Sequence, residues 1–259
     1  PEAADYIQNY TKSNSLDQYY QLIQDAKRET SIPIFASVNC VSGADWIDFS
    51  KRVEEAGADG LEVNLFILPI DGDESSKYEA QYFDLVRKIR AAIKIPIVLK
   101  ISSYFTNILY MVNQFYKLGV EGVVLFNRMY EPDININDLS MTSSEIFSSP
   151  SDLRNTLRWV SLVTDRLKDI QISGSTGIHD STGAIKVLLA GAQTVQICST
   201  LYKNGLEQIG TILKEMEEWM DEKEFANIAN FRGKMNYRSH SNPRTWERSQ
   251  FMRYFSNRD

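Results

Sequence analysis

Six short runs rich in aliphatic and β-branched residues, each leading into a stretch with helical periodicity, constrain this chain more than any other feature. The runs span 32–39, 60–65, 95–100, 120–127, 169–173 and 192–197. Helical stretches follow at about 45–56, 75–93, a segment reaching 118, 151–167, a segment reaching 191, and 206–220. Several stop at a glycine, as at Gly57 and Gly119, a residue suited to the left-handed turn that ends helices. Near-continuously apolar strands alternating with helices mean βαβ units and a parallel sheet covered on both faces. The junctions Glu55-Ala56-Gly57-Ala58, Leu118-Gly119-Val120 and Ala190-Gly191-Ala192 read as an internal repeat, with a unit near the roughly 31 residues of one (β/α)8 module. A doubly wound sheet predicts a glycine-rich dinucleotide turn after its first strand, and the sequence has none. Polar residues gather instead where strands end, at Asn39, Asn64, Lys100, Asn127 and the 173–177 turn, where a barrel builds its active site. The expected fold is α/β, a (β/α)8 TIM barrel. A helix at about 15–29 precedes the first legible strand, and six strands are legible rather than eight. The reading is therefore a barrel over 1–234 that begins partway through the fold, followed by a basic aromatic tail over 235–259.

Composition excludes several function classes. The chain has 259 residues, 43% hydrophobic and 24% charged, which is globular and not disordered or coiled-coil. Lys and Arg number 28 against 34 Asp and Glu, a net charge of −6, so no basic field exists to hold nucleic acid or an anionic membrane. Two cysteines, Cys40 and Cys198, give no disulfide framework and fit a reducing cytoplasm. Two histidines, His179 and His240, exclude a His-rich metal site. No apolar run approaches the ~18–20 residues of a membrane span. The stretch 232–259, which includes the tail, carries Arg232, Lys234, Arg238, Arg244, Arg248, Arg253 and Arg258 among Tyr237, Trp246, Phe251, Tyr254 and Phe255. Given the overall charge, packing on its own barrel or on a partner is the expectation there, rather than nucleic-acid binding.

Four places carry chemistry. Ser173-Gly174-Ser175-Thr176-Gly177-Ile178 is a small-residue turn opening a helix with Asp180, Ser181 and Thr182 early in it, and Cys198-Ser199-Thr200 ends the next strand. Glycines let backbone N–H groups approach a ligand and a helix N-terminus favours an anion, so these segments read as a phosphate cradle or as a plain flexible turn. Lys100 ends an apolar run, where a cation faces an anionic ring or snorkels to the rim. Asn64 and Asn127 end neighbouring strands, and an amide that donates and accepts can read a ring of alternating carbonyl and N–H groups. His179 reads as a surface residue, and the two cysteines as small buried residues or reactive thiols.

Together these segments resemble the dihydroorotate dehydrogenase family of flavin-dependent barrels. The resemblance is carried by Gly60-Leu61-Glu62-Val63-Asn64-Leu65, Val98-Leu99-Lys100-Ile101-Ser102, Val124-Leu125-Phe126-Asn127-Arg128, the 173–178 turn and, most specifically, 189–205. The stretch 225–234 matches the family's last helix. The whole looks most like a divergent bacterial dihydroorotate dehydrogenase-like branch. The resemblance implies FMN, its phosphate on Gly174, Ser175, Thr176, Gly177, Cys198 and Ser199, and Lys100 beside the flavin ring. It implies dihydroorotate held by Asn64 and Asn127 and oxidised to orotate in pyrimidine biosynthesis, with an acceptor such as fumarate, in a homodimer. One departure stands out: Ile67 occupies the position where the family carries its cysteine or serine base, and an aliphatic side chain cannot accept a proton. Tyr104 and Cys40 are candidate replacements. The alternatives are an FMN oxidoreductase acting on another cyclic or unsaturated substrate, and a catalytically silent barrel binding a phosphorylated ligand.

Overall fold

A computed structural model describes residues 2–39, 43–129, 131–239 and 241–248. Cys40 and the part of the tail from residue 249 onward lie outside them. The elements run α1 (Glu2–Glu29), β1 (Phe35–Val38), α2 (Gly43–Glu55), β2 (Gly60–Leu65), α3 (Ser75–Ala92), β3 (Ile97–Ile101), α4 (Ile108–Lys117), β4 (Gly122–Leu125), β5 (Pro132–Asn135) and β6 (Ser140–Ser143). They continue with α5 (Leu153–Arg166), β7 (Gln171–Ser175), α6 (Ser181–Leu189), β8 (Thr194–Gln196), α7 (Ser199–Asn204) and α8 (Gln208–Glu222). Six parallel strands alternating with helices make this α/β chain a partial (β/α)8 barrel. It divides into two compact units, Pro1–Ile101 with Tyr110–Gly122, and Ser102–Leu109 with Val123–Asp259.

In the first unit β1, β2 and β3 pair in parallel, with Val38 opposite Val63 and Val63 opposite Leu99. Leu61, Val63, Ile97, Leu99 and Ile101 are buried, as are Val53, Val86, Ile89 and Phe115 from the surrounding helices. Each such side chain withdrawn from water contributes about 1.5–3 kcal/mol, which fixes which face of each strand turns inward. Carboxylates anchor the strand entrances. Asp59 Oδ2 accepts from Ile34 N at 2.6 Å, Glu54 Oε1 from Ile95 N at 2.9 Å, and Glu121 Oε2 from Ile97 N at 2.8 Å. These acidic residues hold the framework at the strand entrances.

The second unit holds β4, β7 and β8, in that order, covered by α5, α6 and α8. Val123, Val124, Leu125, Val160, Val163, Ile172, Ala184 and Val187 form its core. Ser173, Gly174 and Ser175 belong to β7 rather than to a turn, and Gly174 has a packing reason. A Cβ there would stand 2.3 Å from Val187 Cγ1 of α6. Phe231 is fully buried, its ring 5.1 Å from Trp219 and 5.6 Å from Phe225.

Three segments depart from the sequence expectation. Helix α1 starts at Glu2 rather than near Ser15, because nothing in 2–14 is a proline or glycine that would stop it. The polar 128–150 connection contains the β5–β6 hairpin, its turn closed by Asn137 N donating to Asn135 Oδ1 at 3.0 Å and Ser140 N to Asp138 Oδ1 at 3.1 Å. Its strands are almost wholly exposed, so no apolar alternation marks them. The stretch 225–234, expected as a last helix, holds only the 3-10 turn Ile228–Asn230, capped reciprocally by Asn227 and Asn230. The chain after it docks along α6, where Gly233 N donates to Leu188 O and Met235 N to Leu189 O.

Candidate active site

The register of the first unit brings four polar side chains onto one sheet face. Ser37 lies opposite Glu62 and Asn64 opposite Lys100, while Glu62 and Asn64, two residues apart on β2, point the same way. Asn64 Nδ2 donates to Ser37 Oγ at 3.1 Å, and Ser37 Oγ donates to Glu62 Oε1 at 2.8 Å. Lys100 Nζ stands 3.5 Å from the same Glu62 oxygen. Glu62 is only 6% exposed, a carboxylate that a sheet interior tolerates when paired and hydrogen-bonded. Tyr19 of α1 donates its hydroxyl to Ser37 O at 3.0 Å. Burial pushes that hydroxyl above its ordinary value, and Glu62's charge adds to this against the opposing Ser37 carbonyl bond. Asn64 Oδ1 is buried and has no hydrogen-bond partner among the described residues. Lys100 lies within β3, which runs one residue past it to Ile101, rather than ending the strand. Ile67 follows β2, its N–H donating to the buried Tyr82 hydroxyl at 2.6 Å, and burial pushes that phenol up and away from service as a base.

In the second unit Asn127 follows β4, and one cavity of about 350 Å³ brings Asn127, Tyr104 and Thr176 together with Arg128, Asp152 and Arg154. Tyr104 is 62% exposed there. The turn after β7 is strained. Thr176 sits at φ 77° and Gly177 at φ 79°, the left-handed region that a β-branched threonine rarely enters. Thr176 is held by donating its hydroxyl to Phe126 O at 2.9 Å, while Thr156 Oγ1 donates to Ser175 O at 2.8 Å. The start of α6 differs from the expectation. Asp180 lies before the helix as its N-cap, its side chain accepting from Gly183 N at 2.7 Å. The protein's own carboxylate thus occupies the place where the sequence suggested an anion at this helix terminus.

Arg128 and Lys203 fasten the segment leading into α5. Arg128 Nη2 donates to Glu145 O at 2.7 Å, its Nη1 pairs with Asp152 at 3.1 Å, and Lys203 Nζ donates to Ser148 O at 2.9 Å. Ser148 N donates to Ser199 Oγ at 3.0 Å. Cys198 is exposed rather than a small buried residue. His179 is half-buried rather than on the surface, with Nε2 3.0 Å from the Ser148 hydroxyl. Sequence reasoning missed Glu62, Ser37, Ser148 and Lys203. Only the charge of Glu62 inside the 60–65 apolar run was a signal.

Burial, and then the Lys203 ammonium, hold the His179 imidazole below its ordinary value of 6.5. A depressed value means that the folded chain binds fewer protons than the unfolded chain as pH falls. The associated stability is therefore present above pH 6.5 and lost as pH drops through the folded value. Urea titrations between neutral and mildly acidic pH should show this acid-side loss, and His179→Asn should flatten it. An identical pH profile in the variant would place the loss elsewhere.

The family model described as dihydroorotate dehydrogenase matches residues 7–220, well over half of the chain. The chain belongs to the dihydroorotate dehydrogenase family. It is 28% identical over 231 residues to dihydroorotate dehydrogenase A (fumarate) of Lactococcus lactis subsp. lactis (strain IL1403), covering 83% of this chain and 73% of that protein. Identity is again 28% over 206 residues to the catalytic subunit of dihydroorotate dehydrogenase B (NAD(+)) of Thermoplasma volcanium, covering 78% and 67%. It is 25% over 236 residues to dihydroorotate dehydrogenase (fumarate) of Lachancea kluyveri, covering 84% and 73%. Membership makes the chain an oxidoreductase of dihydroorotate dehydrogenase type. Among the described residues no helix is long and apolar enough to cross a membrane.

Proposed function

We propose that the chain is an FMN-dependent oxidoreductase that takes dihydroorotate to orotate in the cytoplasm. The observation that carries the reading is the paired set on one sheet face, Lys100 against Glu62 with the orphaned acceptor of Asn64 beside them. A buried amide oxygen without a partner in a family of flavoproteins suits a bound ring bearing N–H groups. The resemblance assigns Lys100 as a cation for the electron-rich part of the flavin, and Gly174, Ser175, Thr176, Gly177, Cys198 and Ser199 as the residues that would hold its phosphate through backbone N–H groups. When bound, FMN supplies the hydride acceptor. Asn64 and Asn127 orient the substrate ring through hydrogen bonds from their side-chain amides, Asn64 by accepting from a ring N–H. Fumarate as final acceptor, in keeping with the names of two of the relatives above, completes the proposal together with assembly as a homodimer.

Ile67 favours a second reading, an FMN oxidoreductase on another cyclic or unsaturated substrate, because that side chain holds no proton. Tyr104, facing the cavity that also holds Asn127, is the candidate proton acceptor for the first reading. An anaerobic visible spectrum of the FMN-loaded protein decides between them. Bleaching on addition of dihydroorotate is expected for the first, with loss of bleaching in Tyr104→Phe. A flavin that stays oxidised, but bleaches in Ile67→Cys, would instead establish the second. Failure to take up FMN at all would leave the silent phosphate-binding barrel.

A further inference from the structure

Resting on the proposed cyclic-amide substrate, we propose that Ser37 and Glu62 are positioning residues that lock the Asn64 amide in one orientation, so that the site takes a ring edge presenting an N–H donor to Asn64 Oδ1. The argument is one of proton direction. A carboxylate accepts hydrogen bonds and does not donate them, and a serine hydroxyl has a single proton. Glu62 Oε1, 2.8 Å from Ser37 Oγ and 3.5 Å from the Lys100 ammonium, therefore takes the Ser37 proton. The Ser37 oxygen is left to accept, and of the two ends of the Asn64 amide only Nδ2 can donate across the 3.1 Å between them. The oxygen of Asn64 must then point the other way, and there it is buried without a partner.

Left free, an asparagine amide reads carbonyl and N–H edges equally well by turning over. Here turning over would set Oδ1 against Ser37 Oγ, and a hydrogen bond between them would require Ser37 to withdraw its proton from the buried Glu62 carboxylate. The site is thereby restricted to donors at this point, and a carbonyl edge is rejected because it would bring two acceptors together in a buried place. Register makes the arrangement a property of the sheet, since Ser37 lies directly opposite Glu62 and Asn64 directly opposite Lys100.

Two measurements on the full chain test this, one independent of any ligand. Exchange of the Asn64 side-chain amide protons, followed by 15N NMR, should quicken about tenfold in Ser37→Ala and return to the parent rate in Ser37→Thr, with β2 backbone amides unmoved. Equal exchange in parent and Ser37→Ala would overturn the proposal. The second measurement is calorimetric binding of orotate and of two analogues, each with a ring oxygen replacing one N–H. The parent should lose about tenfold or more in affinity on at least one analogue, and Ser37→Ala should shrink that loss to about threefold. Two analogues binding the parent as tightly as orotate would also overturn it. If orotate itself does not bind while the exchange result holds, the dihydroorotate reading fails and the lock on Asn64 stands.

Discussion

Gly177→Ala should destabilise the chain by about 2–5 kcal/mol, the sum of a left-handed backbone penalty and forced overpacking. At φ 79° any Cβ is strained, and here it would also land 2.2 Å from Leu153 N and 2.8 Å from Leu153 Cα. Those are backbone atoms at the first residue of α5, so no side-chain rotation relieves the clash. The helix would have to move as a body, dragging Asp152 and its pairing with Arg128. Gly57→Ala is the matched control. It has a similar left-handed φ of 93° but nothing within 4 Å of the added carbon, so it should cost only about 1–2 kcal/mol. Urea midpoints of the two variants read the difference directly, and equal losses would mean that the close approach of Gly177 to α5 carries no energy.

The second large effect is electrostatic. Lys100→Met should remove about 3–5 kcal/mol, because it takes away the ammonium that stands 3.5 Å from the almost fully buried Glu62 carboxylate. Glu62→Gln introduced into that background should return part of the loss, since the neutral amide keeps an acceptor for Ser37 while needing no counter-charge. The double-mutant cycle should give a coupling of about 1–3 kcal/mol. A coupling near zero would show that other groups around Glu62 carry its charge, and that Lys100 stands there for the ligand alone.

The architecture was legible because helix and strand periods differ and because glycines mark the helix ends, as the left-handed Gly57 and Gly119 bear out. Buried strands such as 122–125 announce themselves by unbroken apolar character. The hairpin did not, because a strand pair exposed on both faces has no core to pattern its residues. The polar strand-end residues Lys100, Asn64 and Asn127 could be picked out individually. What escaped was their partners. Ser37 and Glu62 meet through sheet register across 25 residues, and Ser148 meets His179 across 31. Such pairings depend on how strands align and how a connection folds back, which no local spacing encodes. The same limit explains Asp180, whose role turns on one helix boundary, and Gly174, whose neighbour Val187 comes from the next element.

Arg128 and Lys203 grip the segment before α5 by its carbonyls at Glu145, Ile146 and Ser148. A carbonyl is the same whatever side chain follows it. The path at Glu145 and Ile146 is thus held by Arg128 through their carbonyls, so these two positions are free to change identity while the path of the chain persists. A library randomising those two positions should retain the fold broadly, offering a rim that can be retailored without rebuilding what lies beneath.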